Sequence, residues 1–321
     1  MRVRIARVAI PVAFAAALAL PVTPAIALVA GIAIALLLEN PWPDQTRKLA
    51  HRALAASVVG LGAGANLAVV GRVGLHGIGY TAFGIACAFG LGTLLGRRLR
   101  VAGDTSLLVT VGTAICGGSA IAAVASAIRA KPHEVSVAIA TVFLLNAVAL
   151  VTFPAIGTAL HLAPESFGLW CALAIHDTSS VVGAAAQYGD RALEVATSAK
   201  LARALWIVPV TFAIATMRAR AARRADTIPG EPAARPARPW FIAGFVAAAA
   251  LVTWLPALRD AGHVVATCAQ RLLAATLLLI GLGLGRRALS MVGVRPLVMA
   301  VILWLVLASA TLAGVVTGWI A

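Results

Sequence analysis

The chain has 321 residues, of which 61% are hydrophobic and 12% charged, and its formal net charge is +15. A soluble domain carries about 25% charged residues, so the composition excludes an ordinary soluble globular protein. The positive charges sort into loops between apolar runs and form no basic stripe interleaved with aromatics, so no nucleic-acid partner is expected.

Apolar runs of about 17–25 residues recur along the chain, the length that crosses a hydrocarbon core of ~30 Å. They lack the period-2 alternation of an outer-membrane barrel. An open sheet in lipid would leave backbone groups unpaired at several kcal/mol each. The expected fold class is therefore an all-α polytopic membrane protein, with a lipid bilayer as its surroundings.

In chain order, spans are predicted at 5–20, 23–39, 49–70, 74–96, 106–129, 135–157, 166–188, 195–217, 240–257, 262–285 and 296–319, about 10–11 transmembrane helices. Arg2, Arg4 and Arg7 ahead of the first run resemble the basic start of a signal peptide. The apolar character continues past Pro24 to Leu38, however, so a pair of helices is expected.

Basic residues mark alternate loops. Arg47, Lys48 and Arg52 follow the second span, and Arg97, Arg98 and Arg100 the fourth. Arg218, Arg220, Arg223, Arg224, Arg235 and Arg238 follow the eighth, and Arg286, Arg287 and Arg295 the tenth. The bias places the N-terminus in the cytoplasm and, with eleven spans, the C-terminus outside. The loop after the sixth span holds no Lys or Arg and breaks the alternation.

Residues 218–239, rich in Pro and Arg, read as a cytoplasmic linker between membrane units 1–217 and 240–321. Gly62, Gly64, Val73 and Gly74 match Gly281, Gly283, Val292 and Gly293 at a constant offset. The two segments lie near the ends of oppositely oriented spans, as in an inverted repeat. Shared small-residue packing explains the match as well.

Of eleven acidic residues, only Asp177 falls in the middle of an apolar run. An ionisable group at the bilayer centre costs at least ~2.5–3.5 kcal/mol and is by default functional. His176, Asp177, Thr178, Ser179 and Ser180 are successive polar residues that cannot all face lipid. They read as a substrate or proton site, against the alternative of a buried polar knot that pins helices.

A second mid-span cluster holds Thr113, Cys116, Gly117, Gly118 and Ser119. Paired glycines weaken a helix by about 1 kcal/mol each. A half-helix starting there would aim its positive end at the membrane centre, as an anion site does; a close helix crossing is the plainer account.

Lys200 and Arg203 share a helix face. They are expected either to snorkel to the interface, to serve as countercharge to Asp177, or to bind an anion. The cysteines Cys87, Cys116, Cys171 and Cys268 lie in apolar runs without metal-ligand spacing and read as reduced, buried hydrophobes. No metal site and no cofactor are expected beyond a coupling H+ or Na+.

Two segments, Gly112–Ala125 (GTAICGGSAIAAVA) and Gly168–Gly189 (GLWCALAIHDTSSVVGAAAQYG), look like the signature motifs of the YeiH family, bacterial membrane proteins usually labelled sulfate exporters. Ala196–Pro209 and Gly281–Leu297 resemble its Lys-Leu-x-Arg segment and late helix, so the resemblance covers roughly residues 50–320. Ser180 stands where the family often has Gln. The resemblance implies a transporter of ten or eleven helices with inverted repeats and crossed, broken helices.

Three functions are weighed. The first is a secondary exporter of a small oxyanion, such as sulfate or an organosulfonate, in which Ser and Thr hydroxyls and backbone N–H groups bind the anion. The second is a cation exchanger or cation-coupled importer centred on Asp177. The third is an intramembrane serine enzyme with His176 and Ser180 meeting at i and i+4; without an orienting group it is set aside, and no enzyme is expected. The expected partner is a small inorganic or organic anion, with a homodimer left open.

Overall fold

The computed structural model describes residues 2–38, 40–224 and 240–320. Among them every regular element is helical: α1 (Arg2–Ala19), α2 (Pro24–Leu37), α3 (Pro43–Gly62), α4 (Leu67–Arg98), α5 (Gly103–Ala114), α6 (Gly118–Ile128), α7 (Pro132–Ala159), α8 (Pro164–Ala174), α9 (Thr178–Tyr188), α10 (Asp190–Ala204), α11 (Ile207–Arg224), α12 (Trp240–Trp254), α13 (Arg259–Gly281), α14 (Arg286–Ser290) and α15 (Val294–Val316). Helices α2, α3, α7 and α8 each open on a proline, whose missing N–H costs nothing in a first turn. Among the described residues, five helical segments are long and apolar enough to cross a membrane on their own, and Pro24–Leu37, Gly118–Ile128 and Phe241–Trp254 are shorter apolar helices. The protein is an all-helical polytopic membrane protein.

The helices sort into two packed groups. Helices α2, α3, α12 and α13 pack on one another, with α1 laid along α13. Small residues set their spacing: a Cβ on Gly31 or Gly281 would overlap the backbone of the facing helix, and one on Gly62 would overlap Phe245. Without a hydrophobic drive between helices in lipid, such close approach supplies the packing energy. The other group holds α4 to α11 and α15 around the larger core, in which Phe153 stacks on Trp170 with ring centroids 4.1 Å apart.

Each of the eleven apolar segments read from the sequence is helical, and the difference lies in the path of two. Segments 106–129 and 166–188 both break in the middle, the first at the glycine pair where a half-helix start was one reading and the second at the polar run where no break was read, and in both the arms fold back instead of running on. In the second, Phe167 at the start of α8 stacks on Tyr188 at the end of α9 (3.8 Å), and the Tyr188 hydroxyl donates to the Leu162 carbonyl (2.8 Å). In the first, a Cβ on Gly112 would lie 2.8 Å from Ile121 Cδ1, nine residues on, whereas nine residues of straight helix span about 13 Å. Both segments are therefore helical hairpins, each beginning and ending on one side of the bundle.

The hairpins enter from opposite ends. α6 packs on α11, and Asp104 at the start of α5 pairs with Arg218 near the end of α11. α8 and α9 instead pack on α10, where Glu165 pairs with Arg191 at its start (2.9 Å). This corrects the reading of both segments as straight crossings. It also removes the broken alternation of basic loops: residues 160–163 now lie at the opposite end from Arg97–Arg100, and Arg129 and Lys131 lie at the same end as them.

The linker expected at 218–239 is helical where described, because α11 continues to Arg224; residues 225–239 lie outside the described residues. Cys116 and Cys171 are buried, whereas Cys87 and Cys268 are exposed, contrary to the expectation that all four are interior.

Candidate functional site at the hairpin tips

The hairpins meet tip to tip. A Cβ on Gly117 would sit 3.3 Å from Asp177 Cβ, so the turn of the first hairpin touches the turn of the second. Gly117 has φ 66° and ψ −128°, backbone that an L residue rarely adopts, and its N–H closes α5 by bonding the Gly112 carbonyl (2.8 Å). The glycine signal therefore marks a reversal, which it performs by a positive φ.

Two helices, α5 and α8, end at the tips with carbonyls that no intrahelical N–H can reach. Lys200 and Arg203 satisfy them. Lys200 Nζ donates to the carbonyls of Ile115 (3.2 Å), Ala172 (3.4 Å) and Ile175 (2.7 Å). Arg203 Nε and Nη2 donate to Ala114 (2.9 and 2.6 Å) and Nη1 to Leu173. Lys200 is 0% and Arg203 4% exposed, so neither snorkels. No described ion pair joins either of them to Asp177. Their spacing puts one cation on both tips at once, and cations at helix C-termini also oppose the negative end of the dipole.

Two other helices, α6 and α9, begin at the tips, and here the hairpins differ. α9 is capped by its own chain: the Asp177 carboxylate accepts from Ser179 N (3.0 Å) and from the Ser179 hydroxyl. Thr178, Ser179 and Ser180 are buried. The α6 N-cap is Gly117, which has no side chain to give; the buried Cys116 sulfur meets the Ala120 N–H of the first turn, whereas the Gly118 and Ser119 N–H groups have no described partner and Ser119 is exposed. Free N–H groups at the positive end of a helix are a standard anion-binding arrangement.

Around the tips stand polar atoms without partners. Thr113 Oγ1, Asn146 Nδ2 and both ring nitrogens of His176 are buried and bond nothing. His176 sits edge-on to Trp304 at 6.5 Å and forms no bond with Ser180, because residues 175–177 are not helical and the i, i+4 relation does not apply. Buried polar groups are ordinarily paired, so a cluster that is not calls for an explanation.

Asn146 also belongs to the site. Its Oδ1 accepts from the backbone N–H of His176 (3.1 Å) and Asp177 (3.3 Å), tying α7 to the second tip. A lone Asn in the middle of an apolar run is the same kind of signal as Asp177. Trp170 and Trp304 were missed: their indole N–H groups donate to Ala308 and Ala174, joining α15 to the second hairpin.

The family model described as conserved hypothetical protein 698 matches residues 5–300. A UPF0324 membrane protein of Bdellovibrio bacteriovorus is 56% identical over 319 residues, 99% of this chain and 97% of the relative. UPF0324 membrane proteins of Geobacter sulfurreducens and Bacteroides thetaiotaomicron are 46% and 42% identical, over 95% and 91% of this chain and 96% and 86% of theirs. No solved structure matches the chain.

Proposed function

The chain belongs to the YeiH (UPF0324) family of bacterial membrane proteins, and from that premise we propose that it is a secondary active transporter of a small oxyanion, not an enzyme. The observation that carries the reading is the start of α6, whose Gly118 and Ser119 N–H groups have no described partner, beside the unpartnered Thr113, Asn146 and His176 groups. A tetrahedral oxyanion of the sulfate or organosulfonate class accepts hydrogen bonds on several sides. It matches backbone N–H groups of Gly118 and Ser119, the Ser119 hydroxyl and the Asn146 amide. Lys200 and Arg203 act through the tips they hold, adding positive potential while their donors stay on carbonyls.

Opposed hairpins suit alternating access, because each tip faces a different end of the bundle. With the basic ends of α4, α6 and α11 in the cytoplasm, the first hairpin opens inward and the second outward, and the protein sits in the inner membrane with its N-terminus inside and its C-terminus outside. The (α2, α3) and (α12, α13) pairs, packed through Gly281 and Gly62, favour an inverted repeat. H+ or Na+ couples to transport at Asp177, and the direction of the cycle is export.

A second reading, cation exchange, draws on one observation: Asp177 is a partly exposed carboxylate at the tips with no basic partner in any described ion pair. Solid-supported-membrane currents from proteoliposomes separate the two. Sulfate, sulfite, thiosulfate, taurine and sulfoacetate jumps are compared with Na+ and pH jumps, for wild type and Asp177→Asn. An anion-specific current lost in the variant supports oxyanion transport. Silence to every anion, with a Na+ or pH response that needs Asp177, supports the second reading instead.

A further inference from the structure

The carbonyl ends of the two tips converge on one face of α10. Those of Thr113, Ala114 and Ile115 close α5, and those of Ala172, Leu173 and Ile175 close α8. Where half-helices end inside a membrane transporter, free carbonyls of this kind coordinate the coupling cation, much as carbonyl rings in a channel replace an ion's hydration shell. Each helix C-terminus is also the negative end of a dipole, so two such ends brought together favour positive charge between them.

Here the Lys200 ammonium holds that place. Its Nζ lies 3.2 Å from the Ile115 carbonyl of the first tip, and 3.4 and 2.7 Å from those of Ala172 and Ile175 in the second. An ammonium has three N–H donors and no acceptor, so these carbonyls use it completely. Lys200 is fully buried, and no described ion pair joins it to a carboxylate. A buried charge must be compensated, and the compensation here comes from carbonyl oxygens of two separate segments, as it does for a coordinated ion. Gln187 shows what a neutral donor does instead: its amide joins the Leu150 and Gly183 carbonyls (3.4 and 3.0 Å) with no charge.

We propose that Lys200 is a tethered cation in the place of a metal ion, so that the two tips assemble without Na+, and that cutting its side chain back opens a site for a small monovalent cation of the ammonium type. The separations are those of N–H···O hydrogen bonds, so ammonium or methylammonium suits the place better than Na+. Arg203, on the same helix face, still holds Ala114 and Leu173 when Lys200 is shortened, and the cage keeps its walls. The consequence for coupling rests on the transporter reading: the cycle does not require Na+. The cation site itself does not rest on that reading.

The test is thermal unfolding of the purified protein in detergent, followed by tryptophan fluorescence at constant ionic strength in choline, sodium, potassium, ammonium or methylammonium chloride. A ligand that binds only the folded state raises the midpoint saturably. Wild type is expected to unfold at the same midpoint in every salt. Lys200→Ala unfolds many degrees earlier in choline and recovers several degrees, saturably, in ammonium or methylammonium. Lys200→Met fills the space of the side chain without its charge and does not recover. In proteoliposomes, wild-type oxyanion currents are equal in sodium and in choline. A wild-type midpoint or current that needs Na+ overturns the proposal. So does a Lys200→Ala midpoint that no small cation raises, or a rise that Lys200→Met shares equally. The wild-type arms use no variant and decide the matter even where Lys200→Ala fails to fold. If no oxyanion gives a current, the transporter reading fails, while the midpoints still judge the tethered cation.

Discussion

The two hairpins follow one plan and differ at one point. In each, a first arm ends at the tip on carbonyls bound by Lys200 and Arg203, and a second arm starts from the tip. The second hairpin closes its new helix with its own Asp177, supported by Asn146, and buries Thr178, Ser179 and Ser180 behind it. The first leaves α6 to a glycine cap and an exposed serine, with only the Cys116 sulfur on the Ala120 N–H. A tip that caps its new helix from its own carboxylate has that helix end already occupied. A tip whose first N–H groups have no described partner is the place for a ligand with acceptors to offer.

The shared part of the plan is the most costly to break. Lys200→Met leaves three buried carbonyls without a donor, at about 1–3 kcal/mol each, and affects both hairpins together. The expected outcome is a protein that loses its sharp peak in fluorescence-detected size exclusion, or unfolds many degrees earlier. Gly117→Ala is next. It forces a side chain into a φ of 66° with Asp177 Cβ 3.3 Å away, for a loss of about 1–3 kcal/mol, read as a lowered thermal midpoint and measured beside Gly90→Ala, where a Cβ meets nothing.

Asn146→Ala has a smaller effect confined to the second tip. It frees two backbone N–H groups, a loss of about 1 kcal/mol per bond. Hydrogen exchange should rise at His176 and Asp177 and remain unchanged at residues 115–117. Equal loosening of both tips would show that the joint is shared and that the comparison is drawn in the wrong place.

Much of this was legible in the sequence. The first break was marked by Gly117–Gly118, because a glycine pair disfavours continuous helix; the polar run from His176 to Ser180 was read as a site or a buried knot, and the break it makes was not. The fold-back was not read, because two arms of 11–12 residues joined by a short turn have the same length and hydropathy as one span. Its trace was the loop after Ala159, which lacks any Lys or Arg, together with Arg129 and Lys131 before α7. The role of Lys200 and Arg203 was hidden for a different reason: their partners are backbone carbonyls, and every residue has one. Only the folded chain says which carbonyls reach the helix that carries the two cations.

The most direct test of the open tip is the reaction rate of a cysteine placed on it. In a background with the exposed Cys87 and Cys268 replaced by alanine, Ser119→Cys and Ser179→Cys are treated with a membrane-impermeant methanethiosulfonate in proteoliposomes, with and without sulfate or taurine. The account predicts that position 119 reacts from one side of the membrane and slows several-fold when the oxyanion is present, while position 179, 0% exposed, stays unreactive. Equal reactivity at the two positions, or a rate at 119 that no oxyanion changes, would contradict it.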